Sequence, residues 1–195
     1  ECYLTLSCTT LCGNDRFYSN NLQKTCEDVK NSYKSKFEPK LLVWIAISPR
    51  GKSKVVFFKS GLAINKNVYQ KECLERRLIP FIKQYYSDGQ YVFWPDLASS
   101  HHASSVQQYL RDQNVTFVPK NMNPANVPKA RPIEDFWALL KQKVYNDNWQ
   151  ATNIEQLKKR VTWCLSKLDS KLIQRLAQST RKRLDTVARH GVDSL

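Results

Sequence analysis

The feature that most constrains the fold is the apolar run KLLVWIAI at residues 40–47, in which every residue after the lysine is hydrophobic. A run without polar alternation is typical of a strand that is buried on both faces of a sheet. The turn residues SPRGK (48–52) follow, and a second apolar stretch, SKVVFFKSG (53–61), comes after them. The pair predicts an antiparallel hairpin, with the first run in the middle of the sheet.

The segments on either side of this hairpin follow strand and helix patterns. Residues 2–11 are rich in β-branched and aromatic side chains and predict a first strand, with a turn at 13–15 and a return at 16–19. The hairpin is followed by a predicted helix over 65–86 with a kink at Pro80, a short buried strand at 89–96, a helix at 99–114 and a strand at 115–120. This order predicts an α/β fold with a mixed sheet flanked by helices.

The last third of the chain predicts helices. After a loop rich in Asn and Pro at 121–131, one helix carries an apolar stripe with the spacing of a single helix face, formed by Ile133, Phe136, Trp137, Leu140 and Val144. Two further helices are predicted over 153–190. Because 195 residues are enough for one well-packed core, we expect a single domain over 1–195.

The charge of the chain points to a polyanionic partner. Thirty-one Lys and Arg against 17 Asp and Glu give a formal net charge of +14. Such a field favours nucleic acid or an anionic membrane surface, although a basic protein kept soluble by its charge has the same composition. The longest apolar run, at 41–47, is far shorter than the roughly 20 residues of a spanning helix, so we expect no membrane span. Residues 20–40 predict a long, irregular basic loop.

The six cysteines are scattered along a chain that is large enough to fold without disulfides. We therefore expect reduced thiols, as in an intracellular protein. The N-terminal cluster of Cys2, Cys8 and Cys12 lacks the C-x-x-C spacing of zinc sites and has no histidine near it in sequence. A structural zinc site remains the less favoured alternative.

Two acids lie at the ends of predicted elements. Asp96 directly follows the buried strand YVFW, at the sheet end where ligands collect in open α/β folds. Glu134 is one residue, or about 100° of turn, from Ile133, so it lies at the border of the core-facing stripe and can approach Asp96. Asp135 lies on the solvent side. Alternatively, Asp96 is a strand stop or helix cap, and Glu134 with Pro132 is ordinary helix-start chemistry.

Two converging carboxylates in a basic protein suit phosphoryl transfer with divalent metal ions. Mg²⁺ binds oxygen ligands and keeps several waters that substrate phosphates can displace. A pair of such ions about 3.5–4 Å apart activates the attacking oxygen and stabilises the leaving one. The pattern therefore favours Asp96 and Glu134 as ligands of a divalent cation such as Mg²⁺, at a site that commonly needs a third carboxylate.

The chain resembles the catalytic domain of mariner-type transposases, which belong to the DDE recombinases with an RNase H-like fold. RPIEDFWALLKQKV (131–144) resembles the family's helix with the third acid, and FWPDLASSHHASSVQQYL (93–110) resembles the segment with the second acid. In the family's second-acid segment a His follows the Asp by five residues, as His101 follows Asp96 here. The loop at 121–131 can accommodate a spacing between the acids that is slightly longer than the commonest one, and RKRLDTVARHG (181–191) is similar to the family's C-terminal end.

The sequence also departs from the family pattern. Leu97 stands where the family has Asn, and Ser100 stands where it has Pro. The first catalytic Asp of the family is followed by Glu and an aromatic strand, so its counterpart would come just before Glu1, and Asp15 is a poor substitute. The N-terminal DNA-binding domains of the family are expected to be absent. The resemblance implies either a cut-and-paste DNA transposase catalytic core or a catalytically inactive, transposase-derived DNA-binding or partner-binding module.

The resemblance further implies that Asp96 and Glu134 are catalytic residues that hold Mg²⁺ or Mn²⁺ together with an upstream Asp. It also implies DNA as the partner, a homodimer around paired DNA ends with residues 20–40 reaching the second protomer, and a nuclear location. His101 is a candidate for positioning a DNA strand, or else an ordinary helix-start residue. Phosphate contacts are predicted for basic residues of the long loop and of the last helix, with a solvated basic face as the alternative. These residues are Lys24, Lys30, Lys34, Lys36, Arg175, Arg181, Lys182 and Arg183.

Overall fold

A three-stranded antiparallel sheet lies at the centre of the computed structural model, which describes residues 1–7, 19–26, 38–59, 64–124 and 127–191. The strands are β1 (Cys2–Thr5), β2 (Lys40–Trp44), β3 (Ile47–Ser48), β4 (Gly51–Lys52) and β5 (Val56–Lys59). The sheet has the order β1-β2-β5, and β3 pairs with β4 in a short hairpin of its own. The predicted central hairpin is confirmed, since β2 pairs on both sides.

Six helices surround the sheet in the described part of the chain. They are α1 (66–85), α2 (Ser104–Asp112), α3 (Pro132–Val144), α4 (Ile154–Ser166), α5 (Ser170–Gln178) and α6 (Thr180–His190). Short 3₁₀ turns at Leu22–Lys24, Ser99–His102, Lys120–Met122, Pro128–Ala130 and Asn146–Asn148 connect them. Asn65, Asn153 and Asp169 cap α1, α4 and α5 by accepting hydrogen bonds from backbone N–H groups of the first turn.

Both faces of β2 are covered, which explains why its sequence is apolar throughout. Successive strand residues point to opposite faces. Val43 therefore packs with Leu4 and Leu41 against α3 and α4, whose buried residues include Leu140 and Val161. The second core cluster forms on the other face, where Trp44 and Val56 pack against residues of α1 and α2, among them Tyr69, Cys73, Leu74, Val106 and Leu110.

Backbone polar groups at the end of β1 and just after it form hydrogen bonds with the connection that follows α3. The backbone N–H of Thr5 donates to the Tyr145 hydroxyl at 3.1 Å, and that hydroxyl donates to the Thr5 carbonyl at 2.5 Å. The N–H of Ala151 donates to the Leu6 carbonyl at 2.8 Å. An unpaired strand edge is thus closed by side-chain and loop contacts, and α3 is fixed to the start of the sheet.

The strands predicted at 89–96 and 115–120 pair with each other only through a single parallel bridge, so the predicted length of these two strands was wrong. Phe93 and Phe117 form an isolated parallel bridge, with hydrogen bonds from Phe93 N to Thr116 O at 2.8 Å and from Val118 N to Phe93 O at 2.9 Å. Val92 is 61% exposed, so the segment is not a buried strand. Pro95 has no N–H and cannot continue a ladder.

The helix predicted over 65–86 is present as α1, with a change of hydrogen-bonding pattern along its length. In α1 the stretch Tyr69–Leu78 is π-helical, with the N–H of Ile79 donating to the Leu74 carbonyl, and the helix continues through Pro80. The wide turns end just before the proline, whose ring clashes with the preceding turn of an ordinary α-helix.

The second C-terminal helix is divided at Ser179 into α5 and α6. The Ser179 and Thr180 hydroxyls donate to the carbonyls of Leu176 and Ala177 at 2.7 and 2.8 Å, in competition with the helical backbone bonds.

Cys2, Cys26, Cys73 and Cys164 carry free thiols, and Cys8 and Cys12 lie outside the described residues, as do the predicted turn at 13–15 and most of the return after it. Residues 27–37 of the predicted basic loop also lie outside them. Within the described ranges no helix combines the length and the apolar character that a membrane span needs.

The stripe of α3 gives a test of the core. Leu140 is fully buried, whereas its neighbour Leu139 is half-buried. We expect Leu140→Ala to lower the free energy of unfolding by about 2–5 kcal/mol, because it leaves a cavity between the helix and the sheet. Leu139→Ala should cost less than about half of that. Urea denaturation of the two variants measures the difference, and equal losses would contradict the assigned helix face.

Candidate functional site

Asp96 lies at the end of the extended segment 91–95 and is held by its neighbours in sequence. The N–H of Ala98 donates to its Oδ1 at 2.9 Å, and Nε2 of His102 donates to its carbonyl at 2.9 Å. The side chain is 34% exposed, so one side of the carboxylate is open to solvent. The carboxylate therefore keeps a fixed direction while part of it stays accessible.

His101 places its ring between two acids. Its Nδ1 lies 2.7 Å from Oδ1 of Asp96, and its Nε2 lies 2.8 Å from Oε1 of Glu1. The ring is buried and stacks on Tyr69, with centroids 3.8 Å apart and an angle of 22° between the planes. The backbone nitrogen of Glu1 lies 3.5 Å from Oδ2 of Asp96. The strand that begins at Cys2 and the segment that ends at Asp96 thus meet at this histidine.

The charges of this group stabilise one another. Burial by itself raises the pKa of the Asp96 carboxyl, but the hydrogen bond and the positive charge of His101 outweigh burial and hold it well below its usual range. Burial by itself lowers the pKa of His101, but the hydrogen bonds to Asp96 and Glu1 and their charges raise it above its ordinary value. Asp96 is therefore ionised at neutral pH, and His101 keeps its proton to higher pH than a free imidazole.

Glu134 lies in the first turn of α3, as predicted, and its side chain is exposed. Its N–H donates to the Arg131 carbonyl at 3.1 Å. Burial raises the pKa of the Cys2 thiol against the positive charge of Lys141, and the negative charge of Glu134 adds to the rise.

A cavity of about 550 Å³ joins the elements that carry the acids. Glu1, Asp96 and His101 line one part of it, and residues 131–133 at the start of α3 line another. The first turn of α3 and the segment ending at Asp96 therefore face the same space. Ligand atoms of Glu1, Asp96 and His101 lie within 4.8 Å of one another, and Glu134 is not a member of this group.

The chain is similar in sequence to the Transposable element Tc3 transposase of Caenorhabditis elegans, with 25% identity over 174 residues. The similarity covers 89% of this chain and 50% of that protein, so the chain spans about half of the relative's length. No family model matches the chain.

Solved structures of Mos1 transposase have the same fold. The paired-end complex with the left transposon end gives a TM-score of 0.72 at 16% identity, over 97% of this chain and 53% of that one. The catalytic domain of Mos1 mariner transposase gives 0.65 at 19% identity, over 83% and 78%. The Mos1 catalytic domain with Raltegravir and Mn gives 0.64 at 22%, over 79% and 76%.

The chain has the fold of a mariner-type transposase catalytic domain. The family resemblance of the sequence and the RNase H-like fold class are thereby confirmed.

Within this transposase fold, the sequence did not single out Glu1 as a site residue, because the matching family aspartate was expected just before it. The available signal was the family pattern of Asp followed by Glu and an aromatic strand, in which Glu1 matches the Glu. The structure brings that glutamate to the imidazole of His101.

The second acidic residue of the α3 start has a structural role that the sequence did not predict. Asp135 lies on the solvent side, as expected, with 43% of its side chain exposed, and Arg183 of α6 donates a hydrogen bond to its carboxylate and another to the Lys129 carbonyl at 2.7 Å. Helix periodicity places a side chain relative to its own helix and carries no information on a contact with α6. Arg183 thereby joins α6 to the turn from which the transposase fold projects Glu134.

The basic residues that were predicted to contact phosphate differ in their exposure to solvent. Lys24, Arg175, Arg181 and Lys182 are exposed, whereas Arg183 is half-buried in the contact with Asp135. His101 is buried with both nitrogens against carboxylates, so a contact with a DNA strand would require this group to open. The remaining loop residues, Lys30, Lys34 and Lys36, lie outside the described residues.

The ion pair predicts pH-dependent stability. Because the pKa of Asp96 is lowered, its contribution is present above the ordinary carboxyl pKa and is lost as pH falls through the lowered value. Because the pKa of His101 is raised, its contribution is complete below about pH 6.5 and is lost as pH rises through the raised value. We therefore expect the stability difference between the native chain and His101→Asn to be largest near about pH 5–6 and to shrink toward about pH 9.

Urea denaturation in the presence of a chelator measures this difference at each pH. His190→Asn is the matched control, since His190 is exposed at the end of α6 and should give a difference near zero throughout. A His101 difference that stays constant from acid to alkaline pH would contradict the ion pair.

Proposed function

We propose that this chain is the catalytic part of a cut-and-paste DNA transposase, which cleaves and joins DNA strands at transposon ends with a divalent metal ion. The observation that carries the proposal is the position of Asp96, ionised and half-open, on a cavity that the first turn of α3 also lines. This position agrees with the similarity to Tc3 transposase and with the fold of the Mos1 catalytic domain.

The side chains at this cavity fit a hard divalent cation. Asp96 and Glu1 offer carboxylate oxygens within 4.8 Å of each other, and carboxylates suit Mg²⁺ and Mn²⁺. Both ring nitrogens of His101 face these carboxylates, so His101 orients the acids and offers no ligand atom of its own. We infer that Asp96 and Glu134 are the catalytic metal ligands, with Glu1 and His101 beside them. When bound, the cation would stabilise charge on phosphate oxygens and activate the attacking hydroxyl or water. Solved Mos1 structures with Mn and with Mg support this choice of ion.

The residues of the chain itself supply orientation and charge compensation. The N–H of Ala98 and the ring of His101 both contact Oδ1 of Asp96, and the backbone nitrogen of Glu1 lies 3.5 Å from Oδ2. The proton on His101 offsets one negative charge of the group, so phosphates meet less repulsion at the cavity. His101 acts here as a positioning residue for Asp96 and Glu1.

We infer that DNA is the polyanionic partner. The net charge of +14 draws phosphates toward the surface, and Lys24, Arg175, Arg181 and Lys182 are exposed cations. The Mos1 paired-end complexes contain transposon ends, and we propose the same class of ligand for this chain. We further propose that the protein forms a homodimer around paired DNA ends and acts in the nucleus. We also propose that the full-length protein has DNA-binding domains elsewhere in its sequence.

A catalytically inactive DNA-binding module is the second candidate. Two observations favour it: His101 already compensates the charge of the acids, and Leu97 departs from the family pattern after Asp96. The two candidates differ in whether the protein gains stability and activity from Mn²⁺.

The proposal predicts metal-dependent cleavage that requires both acids. In the full-length natural protein, we expect Asp96→Asn and Glu134→Gln each to reduce Mn²⁺-dependent strand cleavage by at least about 100-fold, because each removes a charge that acts on the transition state. Asp112→Asn, at the exposed end of α2, is the control and should cleave at the native rate.

Thermal unfolding with and without Mn²⁺ adds a readout that does not depend on activity. An active site of the proposed kind raises the melting temperature with Mn²⁺ in the native protein, and less so in Asp96→Asn. Cleavage that survives either acid substitution at the native rate would rule out the catalytic assignment. An absence of both cleavage and Mn²⁺ stabilisation in the native protein would favour the inactive module.

The exposed cations of α6 predict a change in the salt dependence of DNA binding. Because each neutralised phosphate releases counterions, we expect the Arg181→Ala/Lys182→Ala double variant to reduce the slope of log affinity against log salt by about 1–2. Lys71→Ala, an exposed residue of α1, is the control and should leave the slope unchanged. Binding titrations at several salt concentrations measure the slopes, and an unchanged slope in the double variant would assign these cations to a solvated face.

A further inference from the structure

Asn123 is one of three buried polar residues in the described part of the chain, together with Ser53 and His101. It lies in the Asn/Pro loop between the two elements that carry the predicted acids, with 6% of its surface exposed. A buried amide costs free energy unless its polar atoms are paired. Its partners therefore indicate what the burial achieves.

The Asn123 side chain makes three hydrogen bonds. Its Nδ2 donates to the Pro95 carbonyl at 2.9 Å, and its Oδ1 accepts from Trp94 Nε1 at 2.8 Å and from Arg131 Nη2 at 2.7 Å. A carbonyl oxygen has two lone pairs, so both acceptor positions of Oδ1 are in use. The guanidinium of Arg131 also lies over the Trp94 indole, 5.2 Å from its centroid.

These partners lie next to the predicted catalytic acids. Trp94 and Pro95 directly precede Asp96, and Arg131 is the residue before α3, three positions ahead of Glu134. The Arg131 carbonyl accepts from the N–H of Glu134 at 3.1 Å. One buried amide thus connects the backbone that ends at Asp96 to the turn that starts the Glu134 helix.

This connection matters because it reaches an element that the other contacts of the segment do not reach. Among the described residues, the pairing of this segment with another extended segment is the isolated bridge between Phe93 and Phe117, and Asp96 is bonded to Ala98 and His102 just after it. The hydrogen bonds of Asn123 are the ones that link residues 94–95 to the start of α3. Such outer partners fix the direction of metal ligands in proteins.

We propose that Asn123 is a positioning residue for the metal site, which sets the separation of Asp96 and Glu134 through Pro95 and Arg131. The inference rests on the proposed function, since it assigns the acids their joint role. In the same inference, Arg131 is the residue through which Asn123 positions the start of α3. Neither residue contacts the reacting atoms in this assignment.

The test uses Asn123→Ala in the full-length natural protein, with Asn121→Ala, an exposed asparagine of the same loop, as control. We expect Asn123→Ala to raise the Mn²⁺ concentration for half-maximal cleavage by about 10–100-fold, as for other outer partners of metal ligands, with Asn121→Ala unchanged. Direct Mn²⁺ binding, followed by electron paramagnetic resonance, should weaken by a similar factor. A variant that melts at a lower temperature but keeps native Mn²⁺ binding would overturn the inference, because Asn123 would then only stabilise the loop.

Two more variants keep the test decisive if Asn123→Ala does not fold. Asn123→Asp keeps both acceptor contacts and loses the donor to Pro95, and Arg131→Gln breaks the connection from a half-buried position on the helix side. Both should shift the Mn²⁺ requirement in the same direction, and native Mn²⁺ binding in both would overturn the inference.

Failure of the inference is distinguishable from failure of the proposed function. If the native protein binds Mn²⁺ and Asp96→Asn does not, while the Asn123 and Arg131 variants bind like Asn121→Ala, only the positioning role fails. If native protein and Asp96→Asn behave alike toward Mn²⁺, the proposed function fails, and the positioning role fails with it.

Discussion

The burial of β2 on both faces is the constraint on which the rest of the structure depends. Because Val43 and Trp44 point to opposite faces, the sheet requires a helical layer on each side. The candidate site lies where the two layers meet at the start of β1. Tyr69, from the layer of α1, stacks on His101, while Glu134 comes from α3 in the other layer. The two core clusters thus position the predicted site residues from both sides of the sheet.

The candidate site carries negative charge, whereas the chain as a whole is positively charged. A chain with a net charge of +14 attracts phosphates, while a group of carboxylates repels them locally. His101 reduces this repulsion, since its ring contacts both Asp96 and Glu1 and its pKa is raised. On the proposed function, the remaining negative charge is the reason for a divalent cation between acids and DNA. On the same proposal, the basic surface draws the DNA phosphates toward this site.

The pattern of apolar residues was sufficient to predict the elements whose buried faces it marks. The continuous apolar run predicted β2 as the central strand, and the stripe with Leu140 and Val144 predicted the buried face of α3. It failed for the segments around Phe93 and Phe117, because apolar strand-like residues do not specify a pairing partner, and the partner here is a single bridge. The π-helical turns of α1 leave no distinct signal in a pattern of apolar residues.

The candidate site was predicted only where a family motif or an element end marked it. Asp96 and Glu134 fall at such ends, and the resemblance gave them a role. The contact of Glu1 with His101 joins residues a hundred positions apart, and the bonds of Asn123 span 28 residues to Pro95 and 8 to Arg131. Side-chain pairings of this kind depend on the finished fold, so no spacing rule in one sequence reveals them.

The basic run at 181–183 illustrates how the fold gives neighbouring charges different roles. One residue along a helix is about 100° of turn, so Arg183 can face α3 while Arg181 and Lys182 face solvent. Arg183 holds both Asp135 and the carbonyl of Lys129, on either side of the turn where α3 begins. One arginine contact therefore links α6, which carries the exposed cations Arg181 and Lys182, to the helix that carries Glu134.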